Sequence, residues 1–127
     1  MPRTAFLVCC LLLPNVGCSK SQPTLAGGKS VDHWVQLLES GQPAERKSAA
    51  FKLGNVGDAA PAVVPALRKA LNDPDATVRC ECILALVKCR GKAAEIVPVL
   101  AEVEKQDKDK LVRSYAAQAI ESLQTPR

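Results

Sequence analysis

The sequence predicts an all-α fold, a short α-solenoid of about three helical hairpins. Two observations carry that prediction. Residues 61–90, PAVVPALRKALNDPDATVRCECILALVKCR, read as two amphipathic helices joined by a tight Asp-Pro-Asp turn. The plan of this unit recurs on both sides at a spacing of 33 or 34 residues. Aromatic residues make up only 3% of the chain, so the core is aliphatic and Ala-rich, as in close-packed helices.

In the central unit Val64, Leu67 and Leu71 fall at i, i+3 and i+7, an apolar stripe on one helical face. Pro61 and Pro65 suit a first helical turn, where a missing N–H costs little. Asp73-Pro74-Asp75 ends that helix. Pro74 disfavours α geometry at Asp73, and the Asp75 carboxylate can cap the next helix. There Val78, Cys82, Ala85, Leu86 and Cys89 share a face. Neither helix can bury its stripe alone, so the two are expected to pack as an antiparallel hairpin.

The repeat shows in several columns at once. Arg46, Arg79 and Arg113 are spaced 33 and 34 residues apart; Trp34, Leu67 and Leu100, 33 and 33; Leu53, Leu86 and Ile120, 33 and 34. Such a period is the mark of a helical repeat array. VVPALRKALNDPDATVRCECILAL, then IVPVLAEVEKQDKDKLVRSYAAQAI, and more loosely VDHWVQLLESGQPAERKSAAFKLGNVGD resemble the HEAT family of helical repeats. That family carries an Asp in the turn and an Arg six residues later. Asp73 with Arg79 and Asp107 with Arg113 match it. The first copy keeps Arg46 but has Ser40 at the Asp position and Glu45 where a Val is usual. The resemblance covers about Ser30 to Leu123 and implies stacked Asp–Arg ion pairs between repeats, not an anion-binding row.

In the first copy Ser30 can cap a helix running to about Glu39, with Val31, Trp34 and Leu38 inward. Gly41 ends it, Pro43 can open the second helix, and Gly54 and Gly57 mark the exit. In the last copy Val97, Leu100 and Val103 form the first stripe, with Glu104 in the column of Leu38 and Leu71. The final helix is expected over 111–123. Three copies is about the minimum for such a stack.

Residues 1–17 read as a signal peptide and 18–29 as a flexible tether, leaving 30–127 as the repeat domain. Arg3 supplies a positive start, and Ala5 to Leu13 is an apolar run too short to span a bilayer. Asn15-Val16-Gly17-Cys18 resembles a bacterial lipoprotein signal, which implies lipidation of Cys18. Asn15 departs from that pattern. An ordinary cleaved signal or an uncleaved anchor are the alternatives. Gly, Ser, Pro and Lys in 20–29 suit a tether. The chain is thus expected in the cell envelope, anchored to a membrane on its periplasmic side or outer surface.

The net charge of +4 is scattered along the chain, so no nucleic-acid partner is expected. Beyond the signal and Cys18, the cysteines are Cys80, Cys82 and Cys89. Cys82 and Cys89 lie about 10.5 Å apart along a helix axis, too far to bridge. They read as small core residues, with Cys80 exposed and able to form an intermolecular disulfide. No cysteine–histidine cluster suggests a metal, and His33 stands alone; neither cofactor nor small-molecule substrate is expected. No catalytic constellation is visible, so the chain is expected not to be an enzyme.

The sharpest candidate site is the outward face of the second helices. It carries Lys47, Phe51 and Asn55 in copy one, and Cys80, Leu84 and Lys88 in copy two with Val87 beside them. Copy three has Ser114, Gln118 and Ser122 there. The resemblance implies that this side is concave and binds partners. Phe51, Leu84 and Val87, rimmed by Lys47 and Lys88, suggest a contact surface for another protein. The expected function is a non-enzymatic binding scaffold or adaptor. The alternatives are a self-associating envelope component and an accessory subunit of an enzyme.

Overall fold

The computed structural model describes residues 25–127. Six helices follow a two-residue β-hairpin: β1 Leu25–Ala26, β2 Lys29–Ser30, α1 Val31–Ser40, α2 Pro43–Val56, α3 Val63–Ala70, α4 Ala76–Lys88, α5 Ala93–Gln106 and α6 Lys110–Gln124. Single 3-10 turns at 57–59 and 90–92 link the pairs. The pairs α1–α2, α3–α4 and α5–α6 are the three predicted hairpins. They stack so that α1, α3 and α5 form one layer and α2, α4 and α6 the other.

Local sequence explains the helix starts. Ser30 Oγ accepts the His33 N–H at 3.2 Å, and Pro43 opens α2 where its absent N–H has no partner to lose. Asp75 Oδ1 accepts the N–H groups of Thr77 and Val78 at 2.8 and 3.2 Å; Asp109 Oδ1 does the same for Leu111 and Val112 at 2.8 and 3.3 Å. The Thr77 hydroxyl also donates to Asp75. With the Val78 N–H it holds that carboxyl below its ordinary range.

Burial follows the predicted stripes and then exceeds them. Val64, Leu67, Leu71, Val78, Cys82, Ala85, Leu86 and Cys89 are all in the core. Ile83, off the predicted stripe, is also fully buried. Helix α4 lies between α2 and α6, so it hides two faces where an end helix hides one.

The layer of second helices is the more closely packed of the two, which puts α2, α4 and α6 on the inner side of the stack. Small side chains allow this: Ala49, Ala50 and Gly54 on α2 and Cys82 and Ala85 on α4 are all buried, and Gly54 lies directly against Ala85. Gly54 lies within α2, not at its exit. A Cβ there would sit 2.8 Å from the Cβ of Ala85, so the two backbones touch where only glycine fits.

The residues at the head of each turn tie one hairpin to the next. Arg46 Nε and Nη2 donate to the two carboxylate oxygens of Asp73 at 2.7 and 3.0 Å. Arg79 makes the same fork with Asp107 at 2.9 and 3.0 Å. Each pair therefore joins the arginine of one copy to the aspartate of the following copy. The expected ladder has two rungs, and Ser40 leaves no rung before Arg46.

The last residues of the expected tether are ordered differently from that expectation. Leu25 pairs with Ser30 and Ala26 with Lys29 around Gly27-Gly28, both at positive φ (57° and 75°), as a two-residue hairpin turn requires. Trp34 Nε1 donates to Ala26 O at 2.7 Å and pins this hairpin against the first helical pair. Residues 18–24, and the predicted signal over 1–17, lie outside the described residues.

Two stability outcomes follow. Gly54→Ala should lower the urea midpoint: overpacking costs about 1–3 kcal/mol, against a helix-propensity gain of at most ~1 kcal/mol. Arg79→Ala should cost about 3–5 kcal/mol by leaving the Asp107 carboxylate buried and unpaired, whereas replacing Arg79 with Met and Asp107 with Leu together should recover only part of it, because the Asp109 N–H and the Asp73 carbonyl then lose their partners. Chemical denaturation followed by circular dichroism measures both.

Candidate protein-binding face

The five predicted contact residues fall on the inner layer, Lys47 and Phe51 on α2 and Leu84, Val87 and Lys88 on α4. Phe51 on α2 and Leu84 on α4 are 46% and 43% exposed, unusual for side chains of this size. Lys47 and Lys88 are exposed. Val87 is half-buried and packs against the core, so it is a weaker contact residue than expected.

Lys88 is more than a charged rim. Its Nζ donates to Asn55 Oδ1 at 2.8 Å and lies 4.6 Å from the centre of the Phe51 ring. One ammonium thus ties α4 back to two successive turns of α2 and covers part of the Phe51 face. Phe51, Asn55 and Lys88 form a cross-braced cluster over the first junction.

The second junction is different. The position equivalent to Gly54 is Val87, and α4 and α6 pack less closely than α2 and α4. A groove of about 400 Å³ opens there, lined by Ala76, Thr77, Cys80, Glu81 and Leu84 of α4, Asp109 and Leu111 of the next turn and helix, and Tyr115 of α6. Lys47 closes it on the α2 side. Leu111 is 60% exposed, the most open large apolar side chain among the described residues.

Leu111 and Tyr115 are the members that sequence reasoning missed. Their columns held the signal. Leu111 stands where copies one and two have Ala44 and Thr77; Tyr115 stands where they have Ser48 and Glu81. Large apolar or aromatic groups replace small or polar ones only in the third copy. The expected copy-three members, Ser114, Gln118 and Ser122, are exposed but lie outside the groove.

Two other grooves, of about 400 and 440 Å³, lie at the turn ends. Asp73 lines both, and its carboxylate is already held by Arg46. These sites have ion-paired walls and no large exposed apolar group. They suit a guest less well than the α4–α6 groove.

The groove is not built for covalent chemistry. Cys80, expected to be exposed, is half-buried within it. Burial, and then the negative charge of Asp109, pushes its thiol up, away from the reactive thiolate. His33 sits far off on α1 with its ring edge-on to Trp34 at 5.1 Å. Among the described residues no group of three or more His, Cys, Asp or Glu side chains could hold a metal ion. None of their helices is long and apolar enough to cross a membrane.

A family model for HEAT repeats matches residues 31–121. The chain belongs to the HEAT-repeat family. The match takes in α1 to α5 and α6 as far as Glu121, and so covers all three hairpins. A search of curated proteins finds no match. HEAT repeats commonly serve as protein-interaction scaffolds and are typically non-enzymatic. In this HEAT-repeat chain the groove lies on the inner layer, between the second helices of repeats two and three.

The thiols of the HEAT-repeat domain separate by burial. Cys82 is pushed up to about 12 and Cys89 to about 11, in both cases chiefly by burial. In folded protein near pH 8, iodoacetamide should therefore alkylate Cys80 first, slowly, with Cys82 and Cys89 reacting only in denaturant. Peptide mapping by mass spectrometry gives the order.

Proposed function

We propose that this HEAT-repeat protein is a non-enzymatic scaffold that binds another protein through its inner face. One observation carries the reading. Leu84, Leu111 and Tyr115 line an open groove, with Phe51 exposed nearby on the same layer. Apolar side chains left open beside lysines are the composition of a contact patch, in which large residues anchor and the charged rim orients. Fixed helices rather than loops hold these anchors, so little ordering is lost on binding.

The rest of the proposal concerns where the scaffold works. The apolar run before Cys18 and the Gly-Cys pair support export and lipidation at Cys18, with the solenoid held close to a membrane surface by a short connecting stretch. Anchoring raises the local concentration of the groove around membrane-bound partners. A single acyl chain gives only marginal anchoring, so at least one further lipid or contact is needed for stable attachment.

Two experiments test this. Leu84→Glu should leave the helical circular dichroism unchanged while removing the proteins that wild-type bait captures from membrane extracts; a captured set identical for both baits overturns the reading. A mass that rises with concentration in light scattering, and falls back in Leu84→Glu, would assign the face to self-association instead. For the anchor, labelled palmitate should enter the wild type and not Cys18→Ala, and that variant should leave the membrane fraction. Unchanged partitioning of Cys18→Ala removes the lipid anchor from the proposal.

A further inference from the structure

The three repeat arginines share one pose, but only two have a carboxylate. Arg46 Nη1 donates to Gly41 O at 2.8 Å, Arg79 Nη1 to Asp73 O at 2.8 Å, and Arg113 Nη1 to Asp107 O at 2.7 Å. In each case the guanidinium is anchored on the carbonyl of its own turn. For Arg46 and Arg79 this anchor aims Nε and Nη2 at the aspartate of the following hairpin. Arg113 is held by the same bond, and its Nε and Nη2 meet no carboxylate among the described residues. Residues 1–24 contain no Asp or Glu that could supply one. The fork is set for a bidentate acceptor.

The apolar columns beside it tell the same story. Ala50 and Ile83 are buried, whereas Ala117 in the third copy is half-buried; Leu53 and Leu86 are fully buried, whereas Ile120 is half-buried. The face that the next hairpin covers in copies one and two is uncovered in copy three. Arg113, Ala117 and Ile120 reproduce Arg46, Ala50 and Leu53 almost residue for residue. Glu104, in the column of Leu38 and Leu71, makes part of the α5 side of this end polar, while Val97, in the column of the buried Val31 and Val64, is half-buried there.

We propose that the end of the stack formed by α6, centred on Arg113, docks a helical hairpin of another protein that carries an aspartate at the head of its turn. The two internal junctions define that chemistry: both carboxylate oxygens on one guanidinium, with small and branched apolar groups alongside. A second copy of this chain does not supply it. Its opposite end has Ser40 where the aspartate would be, and the β1–β2 hairpin pinned by Trp34 sits at that end. Two α6 ends facing each other would set Arg113 against Arg113. This surface is distinct from the α4–α6 groove and does not depend on it.

The test uses the full chain and, as probe, a synthetic peptide of residues 61–90 with hydrocarbon staples in both helices and its helicity verified by circular dichroism, the hairpin that covers Arg46, Ala50 and Leu53 within this protein. Nuclear magnetic resonance titration should show saturable binding with shifts at Arg113, Ala117 and Ile120. Asp73→Asn in the peptide, or Arg113→Gln in the chain, should each weaken binding roughly tenfold or more, as expected for a charge-assisted pair. The two together should lose little beyond either alone. Leu84→Glu should leave the affinity unchanged, which separates this site from the groove. No binding, or equal affinity for Arg113→Gln, overturns the proposal. So does a dimer in light scattering that Arg113→Gln dissolves, because the occupant would then be a second copy.

Discussion

Two aspartates hold this stack in register, and each acts in two directions. Asp73 Oδ1 accepts the Asp75 N–H of its own turn at 2.9 Å, and Asp107 Oδ1 accepts that of Asp109 at the same distance. The same carboxylates take the guanidinium of the preceding hairpin. A single side chain thus shapes a turn and sets how far the next hairpin can slide. Buried charge is poor value as raw stability, since desolvation offsets much of the attraction. Its use here is geometric: an apolar stripe of Ala, Val and Leu would tolerate several offsets, and a two-point fork tolerates one.

Much of this was legible in the sequence because repetition turns weak local signals into columns. The Arg column, the Asp-x-Asp turns and the inward stripes each recur, and the helices lie where those columns place them. Repetition shows which residues change between copies but not what each change does in the packed stack. Ile83 lies off the stripe, and its burial comes from α4 having neighbours on both sides. Gly54 has the look of a helix end by type alone, and only the approach of Ala85 reveals its purpose. Gly27-Gly28 signals a flexible linker or a tight hairpin turn equally well, and the bond from Trp34 to Ala26 decides between them.

The contact face was half visible for the same reason. Leu84 and Phe51 stand out as apolar residues at outward positions of their helices. Leu111 and Tyr115 belong to the first turns of α6, and they approach Leu84 only because α4 and α6 stand apart. Helical-wheel counting places residues around one axis and says nothing about the gap to the next. The lysines divide likewise: Lys47 borders the groove, whereas Lys88 spends its donor and charge on Asn55 and Phe51.

The glycine at the first junction and the valine in its place at the second give the molecule two unlike joints. Where α2 and α4 touch backbone to backbone, braced by Lys88, there is no slack, and hairpins one and two should move as a single block. At the valine the helices ride on side chains, which can change rotamer and let α6 tilt. Compliance is therefore concentrated at the joint where the cleft opens, so the third hairpin can adjust to a guest's width while the rest of the curve keeps its shape.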